Sequence, residues 1–213
     1  MNLFAILLGG DVQRTPRLDA ALAGARVIAA DSGIRHAAEL GLQPELWIGD
    51  FDSVGEAEIA GHPNVEREVF PPEKDQTDGE LAIAAAIERG AGSIVLVGAF
   101  GGPRADHTFL HLTAAIGLVE RGITTLLTSG REEGHPVLPG AASFDYAPGT
   151  LFSLLAFSDL SGLTVTGAKW PLDQVEIAFG SSRTLSNEVE SALSVSLGSG
   201  RALLLAHPLG VGD

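Results

Sequence analysis

The chain has 213 residues, with 13 Lys and Arg against 27 Asp and Glu, a formal charge of −14. That balance argues against non-specific binding to nucleic acid or to an anionic membrane, because phosphate needs cations opposite it. There is no cysteine, which excludes disulfides, thiolate zinc sites and cysteine nucleophiles together.

The first 130 residues alternate between two periodicities. Strand-like apolar runs occupy residues 3–8, 26–30, 46–48, 65–70, 94–97 and 124–128, and helix-like stretches occupy 18–23, 34–40, 78–89 and 106–121. Such alternation predicts a mostly parallel α/β sheet with helices on its faces. Beyond Gly130 helical periodicity stops. Short runs at 141–146, 151–157, 163–166, 175–179, 185–189, 193–197 and 202–206, separated by turn signals such as Pro148-Gly149 and Ser161-Gly162, predict an antiparallel β-sandwich or a barrel-like domain. The expected division is an α/β domain over 1–130 and a β domain over 131–213, with a linker at 130–140 that is rich in Gly and Pro. The early run 3–8 reads as too short for a signal-peptide core. No stretch reaches the roughly 18 apolar residues of a membrane span, so a soluble cytoplasmic protein is expected.

Carboxylates fall repeatedly just past the ends of the predicted strands. Asp11 follows the first, Asp31 the second, Asp50 and Asp52 the third, Asp75 and Asp78 the fourth, and Asp106 the fifth. Open parallel sheets bind ligands outside the carboxyl ends of their strands. Carboxylates gathered there repel one another unless a divalent cation sits among them, and an all-oxygen set favours Mg²⁺ or Mn²⁺ over zinc. Thr77-Asp78-Gly79-Glu80 also reads as a capping box, which leaves Asp78 available to a metal.

A second feature is Gly98-Ala99-Phe100-Gly101-Gly102-Pro103-Arg104-Ala105-Asp106-His107. A strand runs into a Gly-rich turn ahead of a helix, an arrangement that suits a phosphate, with Arg104 as a charged fork. There is no GxxxxGK[ST], GxGxxG or GxSxG. His107 and His111 are spaced i, i+4 without the glutamate of a zinc-helix motif, and His111 reads as packed or solvent-facing.

Together, Ala30-Asp31-Ser32-Gly33, Ile48-Gly49-Asp50-Phe51-Asp52-Ser53-Val54, Pro71-Pro72-Glu73-Lys74-Asp75-Gln76-Thr77-Asp78 and Gly101-Gly102-Pro103-Arg104-Ala105-Asp106-His107 resemble the thiamine pyrophosphokinase family in order and spacing. Gly167-Ala168-Lys169-Trp170-Pro171-Leu172 and Leu185-Ser186-Asn187-Glu188 resemble its C-terminal elements. Ser32 stands where the family usually has glycine, and Pro103 adds a residue to the Gly-rich turn. The resemblance implies a homodimer with an α/β domain and a β-sandwich that moves a pyrophosphoryl group from ATP to the thiamine hydroxyl, releasing AMP, with Mg²⁺. On that reading the catalytic set is Asp50, Asp52, Asp75, Asp78, Arg104 and Asp106: Asp50, Asp52 and Asp75 coordinate the metal, Asp78 and Asp106 are further candidates, and one carboxylate, with Asp78 as the choice, accepts the hydroxyl proton. It also implies ATP contacts from Asp31, Gly33, Lys74, Gly101, Gly102, Arg104 and His107, and thiamine contacts from Ser186 and Asn187. Trp170 either stacks on a ring or fills an interface. The alternatives are a pyrophosphokinase for another alcohol such as a hydroxymethylpterin, a Mg²⁺-dependent sugar-nucleotide transferase, and a non-catalytic nucleotide or thiamine binder.

Overall fold

The computed structural model describes residues 2–51, 54–71, 73 and 75–210. The chain divides into two compact units, Met1–His111 with Gly122–Gly130, and Leu112–Arg121 with Arg131–Asp213.

The first unit contains six parallel strands: β1 (Asn2–Leu7), β2 (Arg26–Ala30), β3 (Leu46–Gly49), β4 (Glu66–Val69), β5 (Ala91–Val97) and β6 (Thr124–Thr128). Their spatial order is β6-β5-β1-β2-β3-β4, with every pairing parallel. The order runs outward in opposite directions from β1, which puts a topological switch between β1 and β5. Ligand crevices form outside the carboxyl ends of strands at such a point. The central strands are continuous apolar runs because both faces are covered; Phe4, Ala5, Ile6 and Leu7 are all inaccessible to solvent. The edge strand β4, Glu66-Arg67-Glu68-Val69, is exposed throughout, and its charges discourage further strand pairing.

Helices α1 (Pro16–Leu22), α2 (Arg35–Leu40), α3 (Glu56–Gly61), α4 (Asp78–Glu88) and α5 (Ala105–Glu120) connect the strands. Thr15 caps α1 by accepting from the Leu18 N–H at 3.1 Å. The capping box of α4 forms as the sequence predicts: Thr77 Oγ1 accepts from the Glu80 N–H at 3.3 Å, and the Thr77 N–H donates to Glu80 Oε2 at 2.9 Å. Residues 31–34 form a 3-10 turn before α2, so the predicted helix 34–40 starts one residue late. The sequence reading missed α3. It is six residues long and carries one large apolar side chain, Ile59, too little to register as a period.

The second unit is antiparallel. Its strands are β7 (Glu133–Val137), β8 (Gly140–Phe144), β9 (Leu151–Ala156), β10 (Leu160–Ala168), β11 (Leu172–Ile177), β12 (Asn187–Leu197) and β13 (Ala202–His207). β13 pairs with β7 and β9, while β10 pairs with β11 and β12, and β8 joins β12. β12 belongs to both sheets. Asn187 and Glu188 pair with β9, whereas Leu193–Leu197 pair with β8. The core lies between the layers, with Phe152, Leu154 and Leu204 from one and Leu163, Val165, Leu193 and Val195 from the other.

The stretch expected to be a linker holds β7, whose Glu133 is buried and accepts from the Tyr146 hydroxyl at 2.8 Å. The runs 185–189 and 193–197 form one strand, interrupted in pattern at Glu190-Ser191-Ala192, where three successive exposed residues carry it from one sheet to the other. Among the described residues no helix is long and apolar enough to cross a membrane.

Candidate active site

Three strand-end carboxylates meet. Asp31, Asp50 and Asp78 each place a carboxylate oxygen so that all three lie within 4.8 Å of one another. The local sequence explains each position. Asp31 follows β2 with φ +44°, a left-handed backbone in which aspartate is among the tolerated residues. Its carbonyl accepts from the indole N–H of the fully buried Trp47 at 2.9 Å. Gly49 makes room beside it, since a Cβ there would stand 3.4 Å from Asp31 Oδ1. Asp50 follows β3 and precedes Phe51, which has φ +61° and whose ring meets Trp47 edge-on at 4.9 Å. Asp78 opens α4 behind its cap Thr77. Strain of this kind at consecutive carboxylate-bearing turns is characteristic of functional sites.

The three carboxylates are half-buried, and Asp31 Oδ1 is withdrawn from solvent. Like charges at this range repel by roughly 1 kcal/mol or more per pair. A hard divalent cation turns that repulsion into coordination, and an all-carboxylate set fits Mg²⁺ or Mn²⁺.

The other predicted residues separate. Asp75 is exposed and stands outside this cluster, because it lies in the loop before α4 while Asp78 is fixed by the helix start. Asp52 and Lys74 lie outside the described residues. Gly33 is buried and does not line the cleft; a Cβ there would run into the backbone of Leu7 and Leu8. It is a packing glycine that seats the Asp31 turn on β1.

A cleft of about 520 Å³ opens over the cluster, at the switch between β1 and β5. Asp31, Asp50, Gly101, Gly102, Arg104 and His107 are among its walls. Gly98, Gly101 and Gly102 all have φ above +70° or at it, a run that only glycine adopts freely. The loop is braced from the segment after β1: the Gly10 N–H donates to the Gly98 carbonyl at 3.0 Å and the Asp11 N–H to the Phe100 carbonyl at 2.9 Å. Asp11 Oδ2 also accepts from the Gly102 N–H at 3.3 Å, so Asp11 is a brace of the Gly-rich turn.

Arg104 donates to Asp106 through Nε at 3.0 Å and Nη2 at 2.6 Å. The guanidinium holds the Asp106 carboxyl down to about 2. Both side chains are exposed, so the pair orients the arginine and adds little stability. Asp106 thus steers a cation and stays outside the carboxylate cluster.

Arg35 and His36 anchor the other wall. Arg35 Nη2 donates to the Gly9 carbonyl at 2.5 Å, and His36 Nε2 donates to the Gly10 carbonyl at 3.0 Å. Burial, and secondarily the charge of Arg35, lowers the His36 pKa below the ordinary 6.5. Below pH 6.5 the unfolded chain takes up a proton that the folded site refuses. This contribution to stability is whole above 6.5 and is lost as pH falls through the folded value. The melting temperature should therefore fall between pH 7.5 and 5, and His36→Gln should flatten that slope. Parallel slopes for the two proteins would refute the assignment.

In the second unit Phe152, Leu154, Trp170, Leu185, Ser186 and Asn187 line a separate pocket of about 390 Å³. Ser186 has φ +56°. Trp170 is 56% exposed, with Lys169 Nζ 5.2 Å from the centre of its ring. Asn187 is more committed than the sequence suggests. Its Oδ1 accepts from the N–H groups of Trp170 (3.2 Å) and Glu188 (2.8 Å), and its Nδ2 donates to the Trp170 carbonyl at 2.9 Å. Both lone pairs of Oδ1 are taken, leaving one N–H to offer a ligand. Asn187 clamps the backbone that presents Trp170.

An acidic, metal-compatible cluster beneath a glycine-lined cleft at a strand switch has the chemistry of a site for a cation and a polyphosphate. The comparisons with known proteins agree with that class. A family model described as "Thiamin pyrophosphokinase, catalytic domain" matches residues 21–127, and one described as "Thiamin pyrophosphokinase, vitamin B1 binding domain" matches residues 143–201. The thiamine pyrophosphokinase of Bacillus subtilis (strain 168) is 32% identical over 169 residues, 76% of this chain and 77% of the relative. A crystal structure of thiamine pyrophosphokinase from Bacillus subtilis superposes with a TM-score of 0.83 at 27% identity, covering 99% of this chain and all of that one. One from Geobacillus thermodenitrificans gives 0.77 at 27% identity, covering 97% of each chain. The chain belongs to the thiamin pyrophosphokinase family.

Proposed function

We propose that this protein is a thiamine diphosphokinase, which transfers the pyrophosphoryl group of ATP to the hydroxyl of thiamine and releases AMP. The observation that carries the reading is the meeting of Asp31, Asp50 and Asp78 at the floor of the cleft in a chain of this family.

Asp31, Asp50 and Asp78 would hold Mg²⁺, and Asp52, next in sequence to Phe51, is a further candidate ligand. When bound, the ion would neutralise charge on the phosphate oxygens. The protein's share of phosphoryl-type transfer is positioning and electrostatic stabilisation. The Gly-rich turn lets the polyphosphate approach the backbone closely. Arg104, oriented by Asp106, supplies a planar cation to phosphate oxygens. Lys74 would add a second charge, and the start of α5 (16 residues) adds a favourable dipole. The pocket of the second unit would take thiamine, with Trp170 offering a ring face and Ser186 and Asn187 polar groups at its rim. A homodimer fits the exposed Trp170 and Leu185 beside that pocket, and dependence on ATP supports a cytoplasmic protein.

The acceptor is tested by incubating the enzyme with ATP and Mg²⁺ and either thiamine or a hydroxymethylpterin. Thiamine diphosphate alone is the expected product. A pyrophosphorylated pterin, with thiamine unchanged, would overturn the assignment.

A further inference from the structure

His111 lines the cleft one helical turn beyond His107, whose ring it meets edge-on at 6.4 Å. Its Nδ1 lies 3.1 Å from the Ala99 carbonyl oxygen. A carbonyl only accepts, so Nδ1 carries the proton. Burial, with the neighbouring charge of His107, lowers the His111 pKa and keeps the ring neutral at neutral pH. A neutral imidazole protonated on Nδ1 has a bare lone pair on Nε2. Among the described residues the ring makes its one hydrogen bond through Nδ1. Nε2 lies 3.9 Å from where a Cβ on Gly79, in the first turn of α4, would stand.

An acceptor in that place selects its ligand by chemistry. At neutral pH the polyphosphate of a nucleotide presents oxygens that accept and has essentially no donor to give. A lone pair turned toward it would be repelled. The nucleoside part is different, since the ribose hydroxyls and the 6-amino group of adenine all donate.

We infer that His111 Nε2 accepts a hydrogen bond from the nucleoside part of the nucleotide, a ribose hydroxyl or the base amino group, and makes no contact with the phosphates. This rests on the cleft being the ATP site of the proposed function. His111 would then be a specificity-determining residue, with the Ala99 carbonyl fixing its tautomer and the turn holding Ala99 fixing its aim.

The test is binding without thiamine, so that no turnover is needed. Dissociation constants are measured with Mg²⁺ for ATP, 2′-deoxy-ATP, 3′-deoxy-ATP, ITP (6-oxo in place of amino) and inorganic triphosphate, on the wild type and on His111→Leu. A lost hydrogen bond of ordinary strength weakens binding by about tenfold. One of the three altered nucleotides should bind the wild type about tenfold more weakly than ATP, and which one it is identifies the donor. His111→Leu should lose about tenfold for ATP, nothing further for that analogue, and nothing for triphosphate. Three results would overturn the inference: a wild type that binds all four nucleotides alike, a variant that keeps wild-type affinity for ATP, or a variant equally weakened for triphosphate. The first needs no variant and so survives any failure of His111→Leu to fold. A wild type that binds neither nucleotide nor triphosphate overturns the ATP site itself, and the inference with it.

Discussion

Asp50→Asn is expected to lower turnover by about 10³-fold while the protein stays folded. The substitution keeps the shape of the side chain and removes its charge. Losing one carboxylate from an Mg²⁺ set removes several kcal/mol of transition-state stabilisation, and each 1.36 kcal/mol is tenfold in rate, so the loss is on the order of three decades. The same change relieves repulsion. Three carboxylates whose oxygens lie within 4.8 Å of one another destabilise the metal-free protein, and deleting one charge leaves its melting temperature at or above that of the wild type. The pairing of lost activity with retained stability is the signature. Normal turnover with ordinary Mg²⁺ dependence would refute the metal role, and a lowered melting temperature would mean that Asp50 is structural.

Gly33→Ala is expected to damage both stability and activity. Its Cβ would collide with the Leu7 carbonyl and the Leu8 amide nitrogen. These are backbone atoms of the central strand and its end, so neither side can rotate away. Overpacking of this kind costs about 1–3 kcal/mol, which lowers the melting temperature of a chain this long by roughly 2–4 °C per kcal/mol. Asp31 sits two residues earlier in the same turn, so relief of the clash moves a member of the carboxylate cluster, and turnover falls at least about tenfold. Gly117→Ala is the control. It lies inside α5 with open space around it, where alanine stabilises a helix by up to about 1 kcal/mol. Equal behaviour of the two variants would contradict the packing role of Gly33.

Where a segment's pattern comes from its own periodicity, the sequence reading and the structure coincide. β2 at 26–30 and β6 at 124–128 have the predicted bounds, and the α4 capping box is visible in four letters. Where the pattern depends on partners, they part. β7 reads as Glu-Gly-His-Pro-Val, polar and broken by Pro136, and becomes a strand because β13 pairs with it and Tyr146 satisfies its buried Glu133. The bend in β12 is invisible because a strand changing sheets looks, in one dimension, like two strands.

The candidate site was legible to the same degree. That carboxylates at strand ends point to a cation follows from their recurrence along the chain. Which of them converge depends on strand order, since β2 and β3 are neighbours and α4 starts beside them. Asp31 therefore joins Asp50 and Asp78, while Asp75 stays in its exposed loop. Asn187 shows the opposite limit. A polar residue beside a pocket suggests a ligand contact, and only coordinates reveal that its amide is already bonded to Trp170. His107 and His111 lack a zinc motif, yet their i, i+4 spacing on α5 brings both rings to the wall of the cleft.

The most direct test of the account is the release of AMP from ATP with Mg²⁺, followed with and without thiamine, with mass spectrometry of the products. AMP and thiamine diphosphate are expected in equal amounts, with no ADP, and with no AMP when thiamine is omitted. ADP with thiamine monophosphate, or a folded Mg²⁺-loaded protein that releases no AMP, would contradict it.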